Sequence, residues 1–397
     1  MNIQKIRIPS YILSAFILFL SIFLLNTKTI SSSNLVWSAW SFSEFLISYP
    51  DNIFVRRGLL GEIFLVMAND GPALSIIQNY VFYNFVLFIF LSTALFFTYK
   101  VPIERYFLFL ISSYGYLNLV AYNLSYHRKE ILIFNFFLIF LLLIRFQEIK
   151  LLKILILPYI VITAILTCLI HEGMMIIFVP FYFLIIKKEG ITFFNIKNFE
   201  LFYLGISGLV FFLVVLNKGT EEISNAIFAD LHPEDSYLLK DFTVDGIRAI
   251  GWSLKRGLVL PLRILLSGNA FYWLYVLFLQ FFTLFIVLYN FEFSKFKNSL
   301  RKLHKEYPII YISYSIFFIG WDWGRWFIII FYLYLFTLVY DNFRNKIKYE
   351  NNFKLPLLAI YIILSVFTII PECCLSWTHP EILNNIERYF GEIKINY

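Results

Sequence analysis

The sequence predicts an all-α polytopic integral membrane protein, and two observations lead to this fold class. First, 60% of the 397 residues are hydrophobic and only 15% are charged, with a mean hydropathy of +0.74, whereas soluble globular domains carry about 25% charge. Second, the apolar blocks have the length at which an α-helix crosses about 30 Å of hydrocarbon, and they lack the short alternating pattern of outer-membrane strands. The same composition excludes a disordered or collagen-like chain.

The apolar blocks predict about eleven membrane-spanning helices in a single transmembrane domain that covers 1–397. The predicted spans are 11–26, 79–98, 106–122, 131–144, 154–170, 174–186, 201–216, 270–290, 308–320, 327–340 and 355–370. Residues 308–340 are interpreted as a re-entrant hairpin rather than one long helix, because one helix would place a strongly basic flank on each side of the membrane.

Basic residues are distributed unequally between the two sides of this path. The segments on the side of the N-terminus hold 19 Lys and Arg in 71 residues, and those on the opposite side hold 14 in 143. Because cytoplasmic loops are enriched in Lys and Arg, we expect the N-terminus in the cytoplasm and the C-terminus outside. The formal charge of +7 then reflects membrane orientation, and nucleic acid is not an expected partner.

Three pairs of predicted helices are joined by short polar turns, all on the predicted outer side. The turns are Tyr-His-Arg-Lys-Glu at 126–130, His-Glu-Gly at 171–173 and Trp-Asp-Trp-Gly-Arg-Trp at 321–326. An ionisable residue at membrane depth costs about 2.5–3.5 kcal/mol on insertion scales, so such residues are usually paired, turned inward and functional. In a chain with so few charges, these turns are the first candidates for a site.

The third turn carries an acid and an arginine among tryptophans. Asp322 and Arg325 are three positions apart and share a face if the turn is helical. They are either an ion pair that locks the hairpin, with Trp321, Trp323 and Trp326 as an interfacial belt, or parts of a site. In a site, the aspartate is a base, the arginine grips an anion and the tryptophans are platforms for sugar rings.

The other two turns leave similar alternatives open. His171 and Glu172 end one helix and begin another, so we expect them at the bottom of an outward cavity, where burial raises the pKa of a carboxylate and favours a general base. Alternatively, they form a polar turn that only needs hydrogen-bonding residues. His127 and Arg128, followed by a lysine and a glutamate, are either an ordinary charged loop or cations that bind a substrate.

Two longer outer segments, 27–72 and 217–269, complete the predicted outer face, and the first contains interfacial helices. Arg56 and Arg57 precede Gly58 at the expected start of such a helix, where two guanidinium groups and a helix N-terminus can bind phosphate. Asp51 lies just upstream and is either a helix N-cap or a catalytic acid or base.

These groups all fall on one side of the membrane, and together they indicate a substrate class. Arginines neutralise the charge that develops on a phosphate or diphosphate leaving group, and a carboxylate takes the proton of an attacking sugar hydroxyl. The sequence has no P-loop and no GxGxxG pattern, so we expect a lipid-linked substrate rather than a nucleotide sugar. No cofactor is expected, no zinc spacing is present, and a need for a divalent metal is left open.

In its length, its span number and its Phe, Tyr and Ile content, and in the late outer loop 217–269, the chain resembles the Wzy-type O-antigen repeat-unit polymerases. The position of Asp51 in the first outer loop also resembles the broader GT-C class of membrane glycosyltransferases. The resemblance implies a GT-C-like fold in the bacterial inner membrane, with both outer loops in the periplasm and Asp51 as the base. It implies transfer of a glycan from undecaprenyl diphosphate to a sugar hydroxyl, with membrane lipid and a chain-length regulator protein as further partners.

Three other functions compete with a polymerase. A GT-C enzyme would add a single sugar from a polyprenyl phosphate, a flippase would transport the lipid-linked glycan, and a scaffold would have no catalytic role. A transporter should carry ionisable groups and broken helices near the bilayer midplane, whereas the predicted spans 106–122, 131–144 and 270–290 contain almost no such groups. The charges lie at helix ends instead, which favours an enzyme.

Overall fold

The computed structural model describes residues 3–30, 41–123, 127–191, 198–217, 219–240, 246–251, 270–319, 323–347, 349, 355–367 and 370. Within these ranges the chain forms helices and turns and contains no β-strand. The longer helices, in chain order, are α1 (Ile3–Ile30), α2 (Gly58–Ala68), α3 (Leu74–Thr98), α4 (Ile103–Leu110), α5 (Glu130–Arg145), α6 (Lys150–Ile170), α7 (Glu172–Glu189), α8 (Phe199–Leu216), α9 (Glu221–Ala229), α10 (Pro233–Lys240), α11 (Ala270–Tyr289), α12 (Phe293–Glu306), α13 (Trp323–Arg344) and α14 (Leu355–Phe367).

A helical membrane protein is the fold that these elements indicate. Six helical segments in the described part of the chain are long and apolar enough to cross a membrane: Pro9–Thr27, Leu74–Thr98, Lys150–Ile170, Phe199–Leu216, Phe271–Tyr289 and Trp323–Arg344. Helices α5, α7 and α14 also match predicted spans, but they are shorter or carry more charge at their ends. The total of eleven spans stays a prediction.

Helix α13 forms the centre of the bundle, because every residue from Trp323 to Asn342 is buried. Aromatic rings fill the space around it. The ring of Phe331 stacks on Tyr114 with centroids 4.0 Å apart, and the Tyr332 hydroxyl donates a hydrogen bond to the Tyr114 carbonyl at 2.7 Å. A tyrosine thus supplies apolar area and satisfies a backbone acceptor where water is absent. This explains why the chain can use 27 Tyr and 48 Phe.

The hairpin predictions are confirmed where the structure describes them. Helices α6 and α7 are joined by His171 alone, whose extended backbone (φ −161°, ψ 102°) reverses the chain. In the last hairpin, the rings of Phe317 and Phe327 lie 4.6 Å apart. Ten residues of continuous helix would separate them by about 15 Å, so the two stretches lie beside each other and are not parts of one long helix.

Two predicted spans are not continuous α-helices. The prediction of one helix over 106–122 is wrong: α4 ends at Leu110, and a turn leads to the short helix Tyr116–Asn118 and a π-helical turn at Leu119–Asn123. A Cβ on Gly115 would lie 2.1 Å from the Leu110 carbonyl oxygen, so the chain can approach itself closely here only through a glycine. Residues 308–319 form a 3-10 helix, Pro308–Ser315, followed by one α-helical turn.

Charged residues collect at the two ends of the bundle. At one end, Lys188 pairs with Asp341 at 2.5 Å, and Glu189 accepts a hydrogen bond from Gln147 at 3.0 Å and forms an ion pair with Arg344 at 3.3 Å. All five belong to predicted inner segments. The charged residues of the predicted outer turns meet at the opposite end, so the alternation of the chain between two ends is visible in the structure. The distribution of Lys and Arg predicts which of the two ends faces the cytoplasm.

Candidate functional site

Ionisable side chains from four separate stretches of the chain meet at the predicted outer end. We call them the ion cluster, and its members are Glu44, Arg56, Arg57, His127, Arg128, Lys129, Glu130, His171, Glu172 and Arg325. They come from the segment before α2, the turn before α5, the joint between α6 and α7, and the first turn of α13. All are buried except Arg56 and Arg57, which are partly exposed.

Two arginines hold the carboxylate of Glu172. The Arg57 Nε donates to Glu172 Oε2 at 2.8 Å and its Nη2 donates to Oε1 at 2.8 Å, which is the two-pronged geometry of a strong arginine–carboxylate pair. The Arg56 Nη1 donates to the same Oε1 at 3.1 Å. Both arginines therefore donate hydrogen bonds to the carboxylate of Glu172.

The backbone conformation at Arg57 positions the side chains of Arg56 and Arg57. Arg57 adopts a left-handed conformation (φ 66°) immediately before α2 begins at Gly58, and the buried Lys129 ammonium donates to the Arg57 carbonyl at 2.9 Å. Helix α2 then lies close to the preceding segment, because a Cβ on Gly61 would be 1.8 Å from the Ile47 carbonyl oxygen. The predicted helix start at Gly58 is confirmed.

A second set of pairs lies deeper in the cluster. The carboxylate of Glu44 is 3.3 Å from Arg128 Nη1 and 3.8 Å from Arg325 Nη1. The same Arg325 nitrogen is 3.4 Å from Glu130 Oε1, and His171 Nε2 is 3.8 Å from that oxygen. Arg325 thus links two carboxylates that are 86 positions apart in the sequence.

Among the described members of the ion cluster, cations outnumber carboxylates. Arg56, Arg57, Arg128, Lys129 and Arg325 are five cations, and Glu44, Glu130 and Glu172 are three carboxylates. Burial lowers the pKa of Lys129 to about 8, although nearby Glu44 opposes the shift, so the ammonium is mostly charged at neutral pH. Burial, together with the charge of Arg57, lowers the pKa of His171 well below its ordinary value, so that imidazole is neutral.

The pKa values of Glu172 and Glu44 are lowered by the arginines beside them. Burial on its own raises the pKa of Glu172, but Arg57 and Arg56 outweigh burial and the pKa lies well below its usual value. The expectation that burial raises the pKa of Glu172 is therefore wrong. For Glu44, burial likewise raises the pKa, and Arg128 and Arg325 outweigh it and lower the pKa to about 2.

Aromatic rings close the cluster from the side of α13. The Arg325 guanidinium lies 4.3 Å from the ring centroid of Trp326, and that ring meets His171 edge to face at 6.4 Å. Trp323 packs against Phe317 and donates through Nε1 to the Phe317 carbonyl at 3.1 Å. Both tryptophans are less than one-tenth exposed, so neither presents the open platform for a sugar ring that the sequence suggested.

The second outer segment covers the ion cluster. The Arg56 Nη2 donates to the Ile250 carbonyl at 3.4 Å. The Gly246 amide donates to Ser43 Oγ at 2.7 Å, and a Cβ on Gly246 would lie 2.5 Å from Glu44 Cγ. Further along, Asp235 accepts from the Ala73 amide at 2.8 Å and thereby caps the start of α3. The described parts of the two long outer segments therefore contact each other beside the ion cluster.

A cavity opens beside the deeper pairs. Its free interior has room for about one water molecule, and its charged lining consists of Arg128, Glu130 and Arg325. The remaining lining is aromatic and aliphatic: Phe88, Leu119, Ile131, Phe134, Ile328, Ile329 and Tyr332. The cavity therefore joins an ionic end to an apolar interior.

Ten of the twelve predicted site residues have described positions in the structure, and seven of these are members of the ion cluster, with Trp326 packed against Arg325. Asp51 is exposed in a 3-10 turn, Pro50–Asn52, with a left-handed backbone (φ 51°), and no ion pair among the described residues includes it. The N-cap interpretation of Asp51 is wrong for α2, whose N-cap is Arg57. Asp322 and Trp321 lie outside the described residues.

The sequence prediction missed three members of the cluster. Lys129 and Glu130 belong to a turn that was recognised, but only their neighbours His127 and Arg128 were chosen. Glu44 was not chosen at all. Its signal was available, because it is a lone acid among Trp40, Phe42, Phe45 and Leu46, and an acid in an apolar stretch is expected to face a partner.

Within the described ranges, no group of three or more His, Cys, Asp and Glu side chains is arranged to hold a metal ion. Comparisons with protein-family models, with curated proteins and with solved structures find no match for this chain. The functional conclusion therefore depends on the site itself.

Proposed function

We propose that this protein polymerises oligosaccharide repeat units linked to undecaprenyl diphosphate, by glycosyl transfer to a sugar hydroxyl at the outer face of a bacterial inner membrane. The observation that carries the proposal is the ion cluster, in which five cations face three carboxylates in a buried setting. Guanidinium and ammonium groups gathered at the end of an apolar bundle attract phosphate oxygens through charge and through paired donors. A diphosphate is the group that suits them.

The surroundings of the cluster support a lipid-linked diphosphate rather than a free one. Apolar helices flank the cluster on the bundle side, and the cavity that starts at Arg128 and Arg325 continues between apolar side chains. A headgroup on the arginines with hydrocarbon beside the helices would satisfy both kinds of surface. Arginine is suited to the role because its donors match phosphate oxygens in pairs.

The arginines also suit the chemical step. When a sugar hydroxyl attacks the anomeric carbon, the bond from that carbon to the diphosphate oxygen breaks and negative charge grows on the leaving group. Fixed guanidinium groups in a dry site stabilise that charge without reorganising. In this proposal Glu172 is a positioning residue that holds Arg56 and Arg57, and the proton goes to another group.

Deletion of the gene tests the proposal in cells. We expect surface polysaccharide with a single repeat unit on its anchor, and a ladder of unchanged length distribution would contradict a polymerase. Chains of normal length that lack one side branch would indicate a GT-C enzyme that adds a single sugar.

Complementation then tests the residues. We expect Arg57→Ala, Glu172→Ala, Asp322→Ala and Arg325→Ala each to restore less polymer than the unmodified gene at equal protein level in the membrane. The control is Glu234→Gln, which changes an exposed carboxylate of α10. Full activity in all four variants would remove the site.

A transporter of lipid-linked glycan is the second candidate, because one observation favours it. The helix is interrupted between Ile103 and Asn123, with the buried Ser112 and Ser113 at the break, and interrupted helices line the substrate paths of many transporters. Liposomes containing the purified protein separate the two functions. Movement of the glycan lipid across the bilayer without elongation would favour transport.

A further inference from the structure

The three carboxylates of the ion cluster are not equivalent. Glu172 accepts four hydrogen bonds from two arginines, whereas neither carboxylate oxygen of Glu130 has a hydrogen-bond donor among the described residues. The side chain of Glu130 is only 2% exposed. Its two charged contacts, with Arg325 at 3.4 Å and with His171 at 3.8 Å, are too long or too poorly aligned to satisfy its oxygens.

A buried carboxylate without donors requires an explanation. Leaving such a group unsatisfied destabilises the folded protein, and native proteins carry few of them, often at sites that bind a ligand or water. Glu130 lines the cavity together with Arg128 and Arg325. A molecule in this cavity can therefore supply the donor that the protein does not.

The imidazole of His171, next to Glu130, also lacks hydrogen-bond partners. It is 2% exposed, and neither ring nitrogen has a hydrogen-bond partner in the described part of the chain. Glu130 Oε1 and His171 Nε2 lie 3.8 Å apart. One hydroxyl group placed beside both can donate to the carboxylate and exchange a second hydrogen bond with the ring.

We propose that Glu130 and His171 form a binding site for the hydroxyl group of the acceptor sugar, and that Glu130 is the catalytic base which takes its proton. This inference rests on the proposed function. In the step, the hydroxyl oxygen forms a bond to the anomeric carbon of the donor, the carbon–oxygen bond to the diphosphate breaks, and the hydroxyl proton moves to Glu130. The leaving diphosphate keeps the electron pair next to Arg128 and Arg325.

The other carboxylates of the ion cluster are less suited to this role. Both oxygens of Glu172 are occupied by arginine donors. Glu44 lies between Arg128 and Arg325 and is not part of the cavity lining. Glu130 alone among the three combines a place on the cavity wall with open acceptor positions, and its neighbour Arg325 is placed to receive the leaving group.

The test uses the purified full-length protein in nanodiscs. The substrate is lipid-linked repeat units extracted from cells that lack the gene, and undecaprenyl diphosphate is the binding probe. We expect Glu130→Gln to bind the probe with a Kd within about threefold of the unmodified protein and to lose about 10²-fold or more in kcat, the size expected of a general base. Glu130→Asp should recover part of kcat, and Glu234→Gln should behave as the unmodified protein.

Each other outcome overturns a different statement. A Glu130→Gln protein with kcat within about threefold of normal would leave the proposed function intact and remove the base role. Loss of probe binding in parallel with kcat would assign Glu130 a structural role instead. If the unmodified protein binds the probe but never elongates the repeat unit, both the polymerase and its base are wrong.

Discussion

Replacing Glu172 by glutamine tests the central claim that this carboxylate balances two arginines. The side chain keeps its size, but its charge is lost and an amide NH₂ now points at donors. Four hydrogen bonds from Arg56 and Arg57 are affected. The two guanidinium groups then face each other in a site where burial already lowers the pKa of Arg56.

The size of the effect follows from the burial of the partners. Removing one partner of a fully buried ion pair costs about 3–5 kcal/mol. The side chain of Glu172 is 8% exposed, but those of Arg56 and Arg57 are 23% and 22% exposed, so water stabilises part of the released charge. We therefore expect Glu172→Gln to lower the free energy of unfolding by about 2–3 kcal/mol.

Equilibrium unfolding by SDS in mixed micelles, followed by circular dichroism, measures this change. The matched control is Glu234→Gln, which removes an exposed outer carboxylate and should stay within about 0.5 kcal/mol. A double variant, Arg57→Met with Glu172→Gln, should be less destabilised than the sum of its single variants, because one uncompensated charge is gone. A Glu172→Gln protein as stable as the control would refute the charge-balance argument.

Three further predictions follow from single contacts or shifts. Affinity for inorganic pyrophosphate should fall as pH rises through about 8, because burial lowers the pKa of Lys129 to about 8 and deprotonation removes one positive charge. The Lys129→Met variant should bind pyrophosphate more weakly at pH 7, and its affinity should not change around pH 8. Arg128 and Arg325 lower the pKa of Glu44 from 4.5 to about 2 against the effect of burial, so this group stabilises the fold above pH 4.5. That contribution of about 3 kcal/mol should disappear as pH falls towards 2. The stability of the Glu44→Gln variant should not show this loss between pH 4.5 and 2. Asp235→Ala should cost about 1–2 kcal/mol of stability because it removes the acceptor for two amides at the start of α3, while Asp235→Asn should cost less; equal stability of both with the unmodified protein would exclude the cap.

Much of the fold could be predicted from the sequence, because membrane helices follow from length and hydropathy alone. The helix pair on either side of His171 lies where the apolar pattern places it. The interruption within 103–123 could not be predicted this way, because no charged residue lies between Tyr106 and Tyr122 and the stretch is hydrophobic enough to be counted as one span. What breaks the helix is the close approach of Gly115 to Leu110, and a hydropathy pattern contains no term for such contacts.

The membership of the site was predicted better than the role of its members. Scarce charges at helix ends identified Arg57, Glu172 and Arg325 as neighbours in space, since ions at membrane depth require partners. Their pairing depends on distances between segments that are 115 or more positions apart. The pKa of Glu172 was therefore predicted in the wrong direction: burial was visible in the sequence, and the two arginines that outweigh it were not.

The pairing also decides which carboxylate is available for chemistry. Five cations and three carboxylates could be arranged so that every acid is neutralised by direct hydrogen bonds, and such an arrangement would suit a purely structural lock. The observed arrangement differs, because arginine donors are concentrated on Glu172 while Glu130, on the cavity wall, has none among the described residues. The Glu130 oxygens can accept a hydrogen bond, and Arg128 and Arg325 beside them carry positive charge. Together these groups are complementary to a molecule that carries both a hydroxyl and a phosphate. A structural lock needs neither feature.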